Sequence, residues 1–455
     1  MKHLVLVGGG HAHLHVVEAV AEGRRTGSGW TDVSVSLLSP SPHHHYSGML
    51  PGFLQGRYTE SALRFDLPAL CRAAGIRFIQ GTAQRIEVLD QEATQPPEAP
   101  QIQSAPQTQA VSGSAGDPSE AAGNGAPPDP GTGPTDFVVR GRIHTDAGMI
   151  PFSAASLDVG SVIGGREIPG VRRHAWALRP MSRAVELEGV LAALARGETA
   201  GVPGGGMGPG GASPVVVVGA GAAGFEVALA AAERGGSGSA PVDVTLVEAG
   251  PELLPEFSPR VRRRARSVLE RRGVKLRTGC RVREVAADRV QVEEEEGGVR
   301  RTSSFPAALT LWVAGAGPPE LLARSDLPLG EEGFFQVDAH LRSVDGAPIW
   351  GAGDCISLQG FPWMPKAGVY AVRQAPVLVA NLRSALEGEE GEEAERYRPQ
   401  SSFLSLLNTG QGEALLRWKF LVAHGRWPWW LKDWIDRRFM ERYHGLASER
   451  GFGGS

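Results

Sequence analysis

The chain has little cysteine: Cys71, Cys280 and Cys355 are the only three in 455 residues. No two of them stand at C-x-x-C or C-x4-C spacing, so the sequence offers neither a disulfide framework nor a thiol pair for dithiol exchange. A run of 18 apolar residues is also lacking, which leaves nothing to span a bilayer. The N-terminus goes straight into an apolar strand, without the basic region, apolar segment and small-residue cleavage site of a signal peptide. These features point to the cytosol. An excess of positive charge is missing too: the formal net charge of −4 argues against nucleic acid as the main partner.

What is present is enough apolar material, 42% of the chain, for two or three cored domains. The 61 glycines and 33 prolines gather in a few stretches and act as punctuation. The first of these follows Leu4-Val5-Leu6-Val7 as Gly8-Gly9-Gly10-His11-Ala12-His13, which reads as strand, tight turn and helix. A phosphate approaches the backbone where side chains are absent, and the helix turns its free N–H groups and positive dipole end toward it. Gly8 and Gly10 fill two positions of a G-x-G-x-x-G fingerprint, while His13 stands at the third.

The pattern recurs in full at Val215-Val216-Val217-Val218 with Gly219, Gly221 and Gly224, so two bound dinucleotides are expected. The strand after the second turn, residues 242–247, ends in Glu248, a carboxylate that accepts ribose hydroxyls and repels a 2′-phosphate; NADH is therefore expected over NADPH. After the first turn the equivalent strand, residues 33–38, ends in Ser39, whose hydroxyl is a weaker ribose partner.

Between these units, residues 91–135 form a Pro, Gly, Ser, Ala and Gln tract that cannot bury enough to offset its ordering entropy, and it reads as a solvated, disordered insertion. Residues 201–211 read as an interdomain hinge. His43, His44 and His45 lie on a Pro- and Gly-rich loop without ligand spacing, so a polar wall of a cofactor pocket is expected and a metal site is not. The acidic run 293–296 reads as a hairpin tip in water. Two further apolar strands close on small residues, at Val313-Ala314-Gly315-Ala316-Gly317 and at Gly351-Ala352-Gly353-Asp354-Cys355. Asp354 reads either as a helix cap or as a flavin ribityl contact.

Taken in order, the first glycine turn, Leu157-Asp158-Val159-Gly160-Ser161, the second fingerprint with Glu248, Val313 to Gly317, and Gly351 to Cys355 followed by Pro365-Lys366-Ala367-Gly368 resemble the two-dinucleotide flavoproteins of the pyridine nucleotide-disulfide oxidoreductase type. The resemblance covers roughly residues 1–385 and is strongest to the branch of type II NADH dehydrogenases and sulfide:quinone oxidoreductases. Gly-Gly-Gly-His-Ala-His and Ser47-Gly48-Met49-Leu50-Pro51-Gly52 are also similar to the dehydrogenase-like module joined to some bacterial selenophosphate synthetases. It implies an α/β fold with two Rossmann-like domains, the NAD domain inserted in the FAD domain: residues 1–180 and 315–390 for FAD and 181–314 for NAD(H); residues 391–455 are expected as a C-terminal, Trp-rich, amphipathic helical segment that forms an interface. By resemblance, Gly8, Gly10, His13, Ser39, Gly160, Gly315 and Asp354 contact FAD. Gly219, Gly221, Gly224 and Glu248 bind NADH, and Glu226 lies near the nicotinamide. A second reading of Glu226 is a capping or solvent-facing carboxylate.

Without a thiol pair, the expected chemistry is hydride transfer from NADH to FAD, then electron transfer to a quinone. Lys366 is the candidate cation beside the pyrimidine end of the flavin, with a surface lysine at a helix start as the alternative. Of the glutamine-rich pattern that follows in quinone-reducing members, only Gln374 survives. A soluble oxidoreductase acting on a protein or a sulfur or selenium species is the rival enzyme, and a slow flavin redox sensor the rival from another class. Five of the ten tryptophans fall between Arg417 and Tyr443, where seven Lys or Arg meet three acids, and Leu431, Ile435, Phe439 and Tyr443 recur at helical spacing. That stripe either lies in a membrane headgroup layer, making the protein peripheral on the inner face of the cell membrane, or docks on the core or on a second subunit as a homodimer.

Overall fold

The computed structural model describes residues 1–89, 137–198, 211–236, 238, 240–296, 299–388 and 394–448. The expected insertion at 91–135 and all of the expected hinge except its last residue lie outside them.

Two five-stranded parallel sheets organise the chain. In the first, the strand Lys2–Val7 is central, with Val33–Ser39 and Arg77–Gln80 on one side and Ala154–Leu157 and Ile349–Gly351 on the other. The second sheet repeats this order around Ser213–Val218: Val242–Val247 and Lys275–Arg277 on one side, Leu309–Trp312 and Ala175–Ala177 on the other. Parallel strands covered on both faces need continuous apolar runs, and Leu4 to Val7 and Val215 to Val218 supply them with exposures of a few per cent or less.

The duplication extends beyond the glycine turns. Each unit carries an antiparallel three-stranded meander, Ala83–Val88 with Gly141–Thr145 and Gly148–Phe152 in the first, Cys280–Val285 with Arg289–Glu296 and Val299–Pro306 in the second. After each meander the chain returns beside the glycine-turn strand, pairing Leu157 with Val7 and Trp312 with Val218. Ile349–Gly351 completes the first sheet after the second is finished, so that sheet is discontinuous in sequence. The short strand Ala175–Ala177 joins the second sheet, although the sequence boundary at 180 assigns it to the first unit.

Two expectations are corrected here. The acidic run is part of the strand Arg289–Glu296, where Glu293 pairs with Arg283 on the neighbouring strand at 2.8 Å and Glu294 with Arg277, from the edge of the second parallel sheet, at 3.0 Å. The C-terminal segment is not helix alone: three antiparallel strands, Ser405–Gly410, Glu413–Trp418 and Leu421–Gly425, precede a 23-residue helix, Arg426–Ser448. The aromatic stripe on that helix docks on the protein itself: Tyr443 is buried against Phe65, and Phe439 packs on Tyr46 with ring centroids 4.8 Å apart. Among the described residues no helix is long and apolar enough to cross a membrane.

Candidate functional site

The first glycine turn links Lys2–Val7 to the helix His11–Thr26. Gly8 has φ +94, and a Cβ there would lie 2.4 Å from the carbonyl oxygen of Asp158, so only glycine fits. The carboxylate of Asp158 accepts hydrogen bonds from the backbone N–H of Ala12 at 2.8 Å and of His13 at 3.3 Å, in the first turn of the helix. Burial pushes this carboxyl up to about 7. Nothing in the sequence singled Asp158 out beyond its place in a motif; an acid at the end of an apolar strand was the available signal.

His13 sits where the fingerprint expects glycine, and its ring is fully buried. Its Nδ1 lies 2.6 Å from the carbonyl oxygen of Gly8 and its Nε2 2.9 Å from Ser156 Oγ. Burial lowers its pKa to about 4, so the ring is neutral. A carbonyl can only accept, hence Nδ1–H donates to Gly8 and Nε2 accepts from the Ser156 hydroxyl. The third glycine of a fingerprint allows helix and strand to approach closely; here a buried imidazole ties them together instead, which corrects the expectation that the His13 side chain is a cofactor contact. Ser39 ends its strand as expected, with its hydroxyl donating to the carbonyl oxygen of Ser41 at 2.9 Å. Gly160, φ +69, leaves open space where a Cβ would stand.

At the second turn Gly219 has φ +102, and a Cβ on Gly224 would lie 1.8 Å from the Gly219 carbonyl oxygen, so the helix Ala222–Gly236 packs directly on the turn. Gly221 faces open space, and Gly315, φ +63, lies beside Gly164. Glu248 reaches back across the turn: Oε2 accepts from Ala220 N–H and Oε1 from Gly250 N–H, each at 2.7 Å. Its carboxylate is thereby fixed at the end of the strand before any ligand arrives.

Asp354 forms an ion pair with Arg179 at 3.1 Å, and Ser161 Oγ donates to its Oδ2 at 3.5 Å. Arg179 also donates to the Ser161 hydroxyl; this cross-link from the segment between the sheets was not foreseen. Lys366 is half-buried rather than on the surface, donating to the carbonyl oxygen of Ile356 with its Nζ 3.9 Å from the centroid of the Phe334 ring. Burial lowers its pKa. The Gln374 side-chain carbonyl accepts from Gly353 N–H at 2.7 Å and so holds the turn that carries Asp354. All three cysteines are buried, and burial pushes Cys71 and Cys355 up to about 12 and Cys280 up to about 11, keeping them protonated at neutral pH.

Glu226 is neither a cap nor solvent-facing. It points into a polar cluster between its helix, the short helical segment at 46–55 and the C-terminal segment, where its Oε1 accepts from Asn408 N–H at 2.6 Å. Burial pushes it up to about 7, opposed by Lys432 and by that hydrogen bond. Lys432 in turn bonds Asp436 and the carbonyl oxygen of Gly48, both at 2.7 Å, and Tyr46 donates to Asp436 at 3.1 Å. His11 meets His44 and Tyr46 edge to face, with ring centroids 5.1 and 5.5 Å apart, and burial lowers the pKa of both histidines, His11 to about 4. The three consecutive histidines form a short strand, His43–His45, rather than a loop: His44 packs in this cluster, while His45 faces Glu60 at 3.4 Å. Lys432, Asp436 and Tyr46 were missed because they meet only when the C-terminal helix folds back.

Two parallel sheets of one strand order, each with a glycine turn at the end of its central strand and the second inserted into the first, define an α/β fold of two Rossmann-like units. Residues 167–377 match the model of the pyridine nucleotide-disulphide oxidoreductase family. The chain is 29% identical over 196 residues to a type II NADH:quinone oxidoreductase of Mycobacterium tuberculosis, covering 40% of this chain and 41% of that protein. It is 32% identical over 117 residues to a probable mitochondrial NADH-ubiquinone oxidoreductase of Schizosaccharomyces pombe, covering 25% and 21%. The chain thus spans less than half the length of these curated relatives. Among solved structures it resembles the sulfide:quinone oxidoreductase of Aquifex aeolicus (TM-score 0.69, 16% identity, 98% of this chain and 92% of that one). It also resembles NDH2 of Plasmodium falciparum in complex with NADH (TM-score 0.68, 12% identity, 100% and 99%). The fold is therefore the one shared by these two solved proteins.

Proposed function

We propose that the protein is an FAD-dependent NADH dehydrogenase that passes electrons to a quinone. The observation that carries this reading is the duplicated glycine-turn sheet, whose second copy ends in a carboxylate already oriented by two backbone amides. The residues at the first turn fit a flavin dinucleotide: Gly8 tolerates no side chain, Gly160 leaves bare backbone beside it, and Ser39 presents a hydroxyl at the neighbouring strand end. When bound there, FAD would accept a hydride from NADH and release electrons to an acceptor. Glu248 would accept the ribose hydroxyls of NADH and repel a 2′-phosphate. Asp354 would face the ribityl chain, and Lys366 would supply positive charge where negative charge gathers on the reduced ring. Glu226 holds a proton near neutral pH in the cluster that faces the second turn's helix.

The acceptor side rests on a second feature. Trp427, Trp430 and Trp434 stand 48%, 62% and 58% exposed on the C-terminal helix, and Phe420 and Trp418 on the preceding hairpin are 94% and 54% exposed. A groove of about 410 Å³ lined by Arg260, Arg263, Arg264 and His424 adjoins the hairpin strand that follows Phe420. Exposed tryptophans beside arginines suit the headgroup layer of a membrane, so we place the protein peripherally on a membrane surface where quinones reside. A homodimer formed through this face is the competing use.

The deciding experiment is anaerobic stopped-flow mixing of the yellow purified protein with NADH, followed by a water-soluble quinone. Flavin bleaching by NADH and recolouring by quinone are expected. A flavin that NADH does not bleach would sink the dehydrogenase reading, and one that bleaches but is indifferent to quinone would redirect it to another acceptor.

A further inference from the structure

The two glycine turns can be compared residue by residue, because their return strands share one register. Leu157 pairs with Val7 as Trp312 pairs with Val218, and the next residue donates its N–H to the same partners, Asp158 to Val7 and Val313 to Val218, each at 2.9 Å. Two residues on, Gly160 and Gly315 have φ of +69 and +63. Asp158 and Val313 are therefore equivalent positions. At the second turn this position is uncharged and a Cβ on Gly221 would meet nothing; at the first, a Cβ on Gly10 would lie 2.2 Å from the Asp158 carboxyl carbon. A helix N-terminus attracts one anion to its free amides. In the first turn a protein carboxylate already occupies two of them.

We propose that Asp158 is a built-in rival of the dinucleotide pyrophosphate, so that binding at the first turn takes up one proton onto the Asp158 carboxylate. This rests on the flavoprotein reading above. Among the described residues no cation pairs with the Asp158 carboxylate. On the helix His11–Thr26, His13 is neutral with both ring nitrogens engaged. From the turn after Ile349–Gly351, Asp354 adds like charge and Cys355 stays a thiol. Arg179 is bound to Asp354 rather than to Asp158. From the helix Gly368–Glu387, Gln374 brings an uncharged amide to Gly353, whose Cβ position lies 2.5 Å from Asp158 Oδ1. Ionised, Asp158 adds a negative charge against a pyrophosphate that carries two; protonated, it removes that repulsion and weakens its own hold on the amides. With Asp158 titrating about 7, uptake of one proton makes FAD binding about tenfold weaker at pH 8 than at pH 6. The pyrophosphate itself does not titrate in that window.

The test is equilibrium titration of the full chain with FAD from pH 6 to 8, read by flavin fluorescence, on the parent, Asp158→Asn and Asp158→Val, the last copying the second turn. NADH binding at the intact second turn reports that each variant is folded. The expected result is about a tenfold loss of FAD affinity in the parent across this range, a flat profile in both variants, and variants about tenfold tighter than the parent at pH 8. A flat parent profile, a slope kept in Asp158→Asn, or folded variants that bind FAD more weakly than the parent at pH 8 would each overturn the proposal. If the variants do not fold, the parent profile alone decides. Absence of FAD binding at every pH, with NADH still bound, would overturn both this proposal and the flavoprotein reading.

Discussion

Glu226 Oε1 accepts the backbone N–H of Asn408 at 2.6 Å, joining the helix of the second glycine turn to the C-terminal sheet. The carboxyl is held among packed groups, and its raised pKa makes its protonation a property of the folded state. Free glutamate titrates near 4.5, whereas this one is raised to about 7, so the folded protein binds more protons than the unfolded chain between those values. The sign follows: its contribution to stability falls as pH rises from 4.5 to 7. Glu226→Gln, which keeps the acceptor, is expected to flatten that fall by up to about 3 kcal/mol, measured by denaturant unfolding at pH 5 and pH 8. The same substitution should remove an ionisation near neutral pH from the turnover profile if Glu226 acts in the reaction.

Lys432 and Asp436 form a buried ion pair 2.7 Å apart, and Lys432 also lowers the pKa of Glu226. Removing one partner of such a pair leaves the other charge stranded. Lys432→Met should destabilise by about 3–5 kcal/mol at pH 8, while Lys432→Met with Asp436→Leu should recover most of the loss. Thermal unfolding of both variants checks this; equal losses in the two would mean the pair's charge is not what matters.

Glu248 is held by Ala220 and Gly250 amides, so on the proposed reading it would meet the ribose without rearranging. The parent should bind NADH in preference to NADPH, and Glu248→Ala should erode the ratio by about tenfold to a hundredfold, the equivalent of one charged hydrogen bond and one relieved repulsion. Binding constants for both nucleotides measure it directly. Equal binding by the parent would contradict the ribose assignment.

Lys366 is clamped between the Ile356 carbonyl and the Phe334 ring, which keeps a cation half-buried in the loop before the helix Gly368–Glu387. Lys366→Met should lower the two-electron flavin potential by about 30 mV, corresponding to ~1.4 kcal/mol of lost stabilisation of the reduced ring. Spectroelectrochemical titration reads this; an unchanged potential with a lowered melting temperature would assign Lys366 to packing.

Trp427, Trp430 and Trp434 contribute little to the core, so replacing all three with serine should leave the fold intact and reduce co-flotation with vesicles rich in anionic phospholipid several-fold. Sedimentation velocity separates the competing use: a parent dimer that becomes monomer in the triple variant would place a second copy on this face.

Much of this architecture could be read locally. An apolar run, glycines that permit a tight turn, and a helix-forming stretch lie within a dozen residues of one another, and a parallel unit of standard length puts Glu248 and Ser39 at the strand ends beside those turns. Local pattern was thus enough to locate two glycine turns, their order, and the carboxylate that ends the second turn's neighbouring strand. Tertiary structure alone decided what lies between them. Asp158 reaches the Ala12 amide across 146 positions of sequence, Arg179 finds Asp354, and Lys432 meets Gly48 across 384. Such contacts depend on strand register and on how a terminal helix folds back, and a buried polar group takes whichever partner that packing brings within reach; no local pattern encodes it.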